Sequence, residues 1–254
     1  MEKQDEKKTK WKPTDNRFVA FFDLLGFKDK VMRASHEEIY KELNQLSACR
    51  KQWENATHDK LVENKFEDVD IYIVSFSDSI VLFSKNDSLD NFKFFSISVL
   101  GIFSNAIKNK IALKGGVAHG SISVNKSEQI YFGQPIIDAY LVEEEVNFLG
   151  IVCHNSIDKY LKNESSQILD FKKKLYKFHE TPLKCGRIKH TFIDYYQNIV
   201  DSKEKTETNI KELIISVLNG FYETVSCSPR RYIDNTITFV EELAAKNLLQ
   251  FSKE

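Results

Sequence analysis

The sequence predicts an α+β fold: a central, mostly antiparallel sheet flanked by helices, with two further helices at the C-terminal end. Three observations carry this. Short aromatic and β-branched runs alternate with longer segments of helical periodicity. Two pairs of runs, 70–84 and 175–196, are separated by short polar turns, as in β-hairpins. Beyond residue 200 the apolar positions fall three and four apart (Ile210, Leu213, Ile214, Val217, Leu218, Phe221), with Pro229 dividing two amphipathic stretches. Strands joined partly by hairpins and partly by helices imply a sheet covered by helices.

Taken in order, residues 1–15 form a charged, flexible lead. RFVAFFDLLGF (17–27) is a buried strand that ends at Asp23 and turns at Gly26. Residues 28 to about 60, free of Pro and Gly with apolar Ile39, Leu43 and Leu46, predict one long helix. DIYIVSFSDSIVLFS (70–84) is a hairpin with Ser77-Asp78 at its tip. Residues 89–110 form a helix whose stripe is Phe92, Phe95, Val99, Ile102 and Phe103. A Gly-punctuated strand follows at 112–124. Then come a strand end, a turn at 133–135, a helix to 146 and a short strand at 150–154. Helices at 201–226 and 229–250 close the chain.

Composition narrows the function. The 36 basic and 37 acidic residues give a formal net charge of -1, which argues against a nucleic-acid partner. The basic clusters Lys7, Lys8, Lys10 and Lys172, Lys173, Lys174 read as solvated faces. Cys49, Cys153, Cys185 and Cys227 form no CxxC pair and no zinc-finger spacing with histidine. The N-terminal MEKQDEKKTK is too charged for a signal peptide, and the apolar run at 99–103 is too short to span a bilayer. A cytoplasmic protein with reduced thiols and no membrane insertion is expected.

Two acids stand out. Asp23 ends a strongly apolar strand, and Asp78 tips a hairpin with apolar flanks. Singly, Asp23 reads equally as a helix N-cap and Asp78 as a turn former. As a pair on adjacent strands they offer hard oxygen ligands for one or two divalent cations, which can activate a hydroxyl and neutralise a triphosphate. His119 reads as a packed residue. Gly115-Gly116 is no P-loop, because no GK[ST] follows. Tyr72, Tyr131 and Tyr140 read as core or interface residues, and Glu143, Glu144 and Glu145 as a solvated helical face with room for one buried partner.

FVAFFDLLGF (18–27), VSFSDSIVLF (74–83), LKGGVAHGSI (113–122) and YFGQPIIDAYLVEEE (131–145) resemble, in the same order, four segments of the class III adenylate and guanylate cyclases. These are the metal-binding first strand, the metal-binding hairpin, the Gly-rich strand and the turn and helix after it. The resemblance covers roughly residues 17–146, and the 175–196 hairpin is similar to one that supplies a phosphate-binding lysine. It implies a cyclase catalytic domain at 16–200 with a helical extension at 201–254. It implies metal ligation by Asp23, Asp78 and the Leu24 carbonyl with Mn2+ or Mg2+ in a two-metal site, and a triphosphate cradle at the amides of Phe27 and Lys28. Lys184 or Arg187 would meet the triphosphate. The enzyme would be a homodimer whose composite sites draw on both chains.

Departures from that family refine the expectation. The two positions that read a purine base carry Val74 and either Ile130 or Tyr131, which disfavours purines. Ile137 and Leu141 stand where a transition-state Asn and Arg are usual. Arg33, Arg50 and Lys114 are candidate replacements. GxPIIxAYxxE together with FSDSI resembles the pyrimidine cyclases of the Pycsar anti-phage system. That implies conversion of UTP, or CTP, to the 3′,5′-cyclic monophosphate and pyrophosphate, with the product read by a separate effector, often membrane-bound. The alternatives are a purine cyclase and an inactive cyclase-like nucleotide sensor.

Overall fold

The computed structural model describes residues 10–41, 43–45, 47–48, 51, 68–164, 166, 168–200, 209–223, 225 and 228–249. Arg50, Cys49 and Cys227 lie outside the described residues, as do most of the charged lead and the distal part of the long helix expected to residue 60.

Strand β1 (Thr14–Leu24) leads through a turn to helix α1 (Phe27–Arg33). The turn needs Gly26, whose φ of 75° lies where side-chain-bearing residues are disfavoured. The helix expected from 28 to about 60 is broken at 34–35 and restarts at 36. Ser35 and Glu38 explain the break by capping each other: the Glu38 amide donates to Ser35 Oγ at 3.3 Å, and the Ser35 amide donates to Glu38 Oε2 at 2.9 Å.

Strands β2 (Ile71–Phe76) and β3 (Ser79–Ser84) form the expected hairpin around Ser77-Asp78. Helix α2 (Leu89–Lys108) is capped by Ser88, whose side chain accepts from the Asn91 amide, and buries the anticipated Phe92, Phe95, Val99, Ile102 and Phe103. Strand β4 (Leu113–Asn125), strand β5 (Ile130–Phe132), helix α3 (Gln134–Glu145) and strand β6 (Ile151–Cys153) follow as read. Two helices were not anticipated, α4 (Asn155–Asn163) and α5 (Leu169–Leu175). Strands β7 (Tyr176–Leu183) and β8 (Gly186–Ile193) form the second hairpin, and helices α6 (Ile210–Asn219) and α7 (Arg230–Ala245) follow.

The eight strands make one sheet in the order β2-β3-β1-β4-β6-β8-β7, with β5 added on β4. The β4–β6 pairing is parallel and the other ladders are antiparallel. Alternation along β1 sends Phe18, Ala20, Phe22 and Leu24 into the main core beneath α2, while Val19 and Phe21 join a smaller cluster beneath α3. Burial on both faces is why β1 reads as a nearly continuous apolar run. Ile214 and Leu218 of α6 and Phe239 and Val240 of α7 join the main core with Phe148 and Phe192. The Leu149 amide also donates to Thr236 Oγ1 at 2.8 Å.

A candidate two-carboxylate site at the end of the central strands

Asp23 lies one residue before the end of β1, opposite Ser79 of β3 and Lys114 of β4. Asp78 occupies the hairpin turn directly before Ser79. The Leu24 amide donates to the Asp78 carbonyl at 3.0 Å, which ties the turn to the end of β1. Ser77 accepts a left-handed φ of 55° in that turn, a conformation that costs roughly 1–2 kcal/mol for a residue with a Cβ. The two acids singled out in the sequence are therefore neighbours along the backbone, Asp23 near the end of β1 and Asp78 in the adjoining hairpin turn. By strand alternation Asp23 shares the α3 face of the sheet with Val19 and Phe21.

Helix α3 presses on that face at Gly116. A Cβ there would lie 2.0 Å from the Ala139 carbonyl oxygen and 2.8 Å from the Glu143 nitrogen. On the other face, a Cβ at Gly115 would lie 2.4 Å from the Phe22 ring. The Gly-Gly pair thus answers to close packing on both sides of β4. Through this contact α3 brings Glu143 to the site. The residue was expected on a solvated face; it is 2% exposed. Lys114 Nζ lies 2.5 Å from Glu143 Oε1 and donates to the Glu143 carbonyl at 2.9 Å. Lys114 is thus committed to a buried pair beside the acids.

These surroundings perturb Asp23. Its carboxyl is pushed up to about 7, first by burial, then by the negative charges of Glu143 and Asp78, with Lys114 and Lys184 opposing. Glu143 is also raised, by burial, with Lys114 opposing. Lys184 occupies the β7–β8 turn, exposed, and its amide donates to the Glu145 carbonyl at 2.7 Å. Its charge is felt at both Asp23 and Glu143. Arg187, the alternative to Lys184, is paired with Glu242 of α7.

Phe27 and Lys28 open α1 directly after the Gly26 turn, with Lys28 exposed. Val74 faces Val81 across the hairpin. With Tyr131 it packs on the cluster of Val19, Phe83, Ala118, Ile122 and Ala139. The polar feature of this region is a pair of tyrosines: the Tyr131 and Tyr72 hydroxyls lie 2.8 Å apart. Ile137 and Leu141 are 52% and 51% exposed on α3. His119 is packed, as expected. Its ring stacks on Phe18 with centroids 4.8 Å apart, and Nε2 lies 3.1 Å from Asp87 Oδ2.

Among the described residues, no group of three or more His, Cys, Asp or Glu is placed to hold a metal ion. Two carboxylates and a strand-end carbonyl nonetheless fit a cation of the magnesium class. Such ions are bound through one or two carboxylates and leave their other positions to water and phosphate oxygens. The burial and like charge that push the Asp23 carboxyl up are what a cation would relieve.

No protein-family model matches the sequence, and no curated protein matches it. Among solved structures the chain is similar to a bacterial light-regulated adenylyl cyclase at 10% identity and a TM-score of 0.48, over 80% of this chain and 98% of that one. It is similar to the catalytic core of a rhodopsin-guanylyl cyclase with converted specificity, in complex with ATPalphaS, at 15% identity and 0.48, over 70% and 94%. It is similar to the adenylyl cyclase CyaB from P. aeruginosa at 12% identity and 0.45, over 76% and 97%.

Proposed function

We propose that this chain is a nucleotide cyclase that converts a pyrimidine nucleoside triphosphate, UTP or CTP, to its 3′,5′-cyclic monophosphate and pyrophosphate. The observation that carries this is the juxtaposition of Asp23 and Asp78 across β1 and the β2–β3 turn. Asp23 is further destabilised as an anion by its neighbours.

Asp23, Asp78 and the Leu24 carbonyl would hold Mg2+ or Mn2+. When bound, the ion supplies charge neutralisation and lowers the pKa of a coordinated hydroxyl. In the reaction the ribose 3′ oxygen bonds to the α-phosphorus, the bond to the β-phosphate oxygen breaks, and the hydroxyl proton is lost. The amides of Phe27 and Lys28 donate to the triphosphate. Lys184 offers an exposed ammonium for the departing pyrophosphate. Glu143 and Lys114 are paired with each other and act on Asp23 through their charges.

The region is apolar at Val74, with the Tyr72–Tyr131 hydroxyl pair as its polar feature, and the choice between base classes rests on the sequence resemblance to the Pycsar cyclases. A homodimer is supported by exposed apolar side chains on elements beside the site: Phe76, Ile137, Tyr140 and Leu141. The cyclic product would be read by a separate effector, as in the Pycsar systems that the sequence resembles. No helix among the described residues is long and apolar enough to cross a membrane.

The test is to incubate the purified protein with each ribonucleoside triphosphate and manganese, beside Asp78→Ala, and identify products by mass spectrometry. Cyclic UMP or cyclic CMP, absent in the variant, is the expected result. Cyclic AMP or GMP would overturn the base assignment and keep the cyclase. One observation favours a second reading, a nucleotide-binding module without turnover: Ile137 and Leu141 put methyl groups on the helix face where stabilising polar groups would be useful. Binding of a triphosphate without product from any of the four would select it.

A further inference from the structure

A cavity of about 380 Å³ opens between α2, α5 and the end of β8. It lies on the α2 side of the sheet, whereas Asp23 faces α3. Its volume is near the lower end of small-molecule sites, roughly 300–1,000 Å³, a size that suits a mononucleotide rather than a longer chain.

The chemistry of its lining is segregated. One wall is apolar, made by Ile97 and Leu100 of α2 and by Phe171 of α5. The Phe171 ring is held edge-on to Phe92 with centroids 6.0 Å apart. Lys173, Lys174 and Lys177 also line it. Lys177 Nζ donates to the Lys173 carbonyl at 2.6 Å, which fixes one positive charge in the last turn of α5. Hydrogen-bonding groups complete the lining: Asp194, Gln197 and Asn198. Asp194 is 7% exposed, and its Oδ1 accepts from the Tyr196 amide at 3.2 Å. Burial pushes its carboxyl up to about 6, against the pull of Lys177. Three lysines and one carboxylic acid thus contribute to the lining of this cavity.

A phosphate, a flat apolar surface and an N–H edge are the complements of the lysines, the wall and Asp194. We infer that this cavity is a binding site for a nucleoside monophosphate. The phosphate sits on Lys173, Lys174 and Lys177, and the base lies against the Phe171 wall with its N–H edge toward Asp194. The site is independent of the two carboxylates and of any turnover there. It gives a role to a lysine run that the sequence alone presents as a solvated face.

Isothermal titration of the full chain in EDTA with UMP, CMP, AMP and GMP tests this. The expected result is saturable binding of at least one monophosphate. Lys173→Glu/Lys177→Glu should weaken it by about tenfold or more, because two charge-assisted contacts become repulsive. Asp23→Asn should leave it unchanged. If circular dichroism shows the double variant unfolded, Asn198→Asp, which adds one negative charge to the lining, takes its place and should also weaken binding. Absence of binding by all four monophosphates would overturn the inference, as would binding that survives the charge changes or depends on Asp23. Inorganic phosphate binding as tightly as the best nucleotide would overturn the nucleotide assignment.

Discussion

Asp23 holds a proton in the native state that the unfolded chain releases. An ordinary aspartate titrates near ~3.9, and here the folded value is about 7. Between those values the native state binds more protons than the unfolded state, so stability conferred at low pH is lost as pH rises through 7. A change of that size is nominally ~4 kcal/mol, but Asp23 is only partly buried, and solvent screening leaves roughly 1–2 kcal/mol. Asp23→Asn should therefore raise the Tm of the metal-free protein at pH 8 by a few degrees, be nearly neutral at pH 4, and abolish turnover. Equal Tm shifts at both pH values would contradict the assignment. The same proton must leave before a cation binds. Manganese affinity measured by calorimetry should climb about tenfold per pH unit up to about 7 and then level. A flat profile over that range would detach Asp23 from the metal. Lys114 and Glu143 set part of this environment, and removing one partner strands the other. Glu143→Leu should cost roughly 3–5 kcal/mol in denaturant unfolding, whereas Lys114→Met/Glu143→Leu should cost less than either single change. A double variant as unstable as the sum of the singles would mean that the pair is not coupled.

Helix α3 is the element that builds this environment, and its seat depends on the missing side chain at Gly116. Gly116→Ala would drive a methyl group into the Ala139 carbonyl and the Glu143 amide, which are backbone and cannot rotate away. The helix must lift, taking Glu143 from Lys114. A loss of roughly 1–3 kcal/mol is expected, together with a fall of the Asp23 pKa toward the ordinary aspartate range, readable by carboxyl-carbon NMR. Stability lost without any change at Asp23 would show that α3 does not carry the coupling. Most elements around it were legible in the sequence. The strands announce themselves because β-branched and aromatic runs end in glycine or polar turns, and both acids are visible as interruptions of such runs. What escaped detection is tertiary. Three consecutive glutamates leave room for one buried partner but do not say that it is the first, turned inward to meet Lys114. Helix α4 does show Ile157, Tyr160 and Leu161 at helical spacing, but it is short and follows a strand without a Gly or Pro to mark the change. The break before residue 36 carried a readable signal in the Ser35–Glu38 pair, hidden by the absence of helix-breaking residues around it.

At the scale of the whole molecule, the side of the sheet that bears the two carboxylates also bears apolar side chains that the chain does not cover. Phe76 at the end of β2 is 82% exposed. Ile137, Tyr140 and Leu141 project from α3, and Tyr140 rests its ring on Phe21 of β1, two residues from Asp23. Large exposed apolar groups in a chain with balanced charge favour self-association. A second copy would cover them while bringing its own α3 and hairpin to the neighbouring site. Sedimentation should then give a mass that doubles with concentration, and specific activity should fall on dilution below the dissociation constant. Phe76→Asp/Ile137→Asp places two charges in the covered surface and leaves both cores untouched. This variant should remain folded by circular dichroism, sediment as a monomer and lose turnover. It should still bind manganese at Asp23 and Asp78, because those ligands come from one chain. A folded monomer with undiminished turnover would show that each chain carries a complete site, and that the exposed apolar groups serve some other contact.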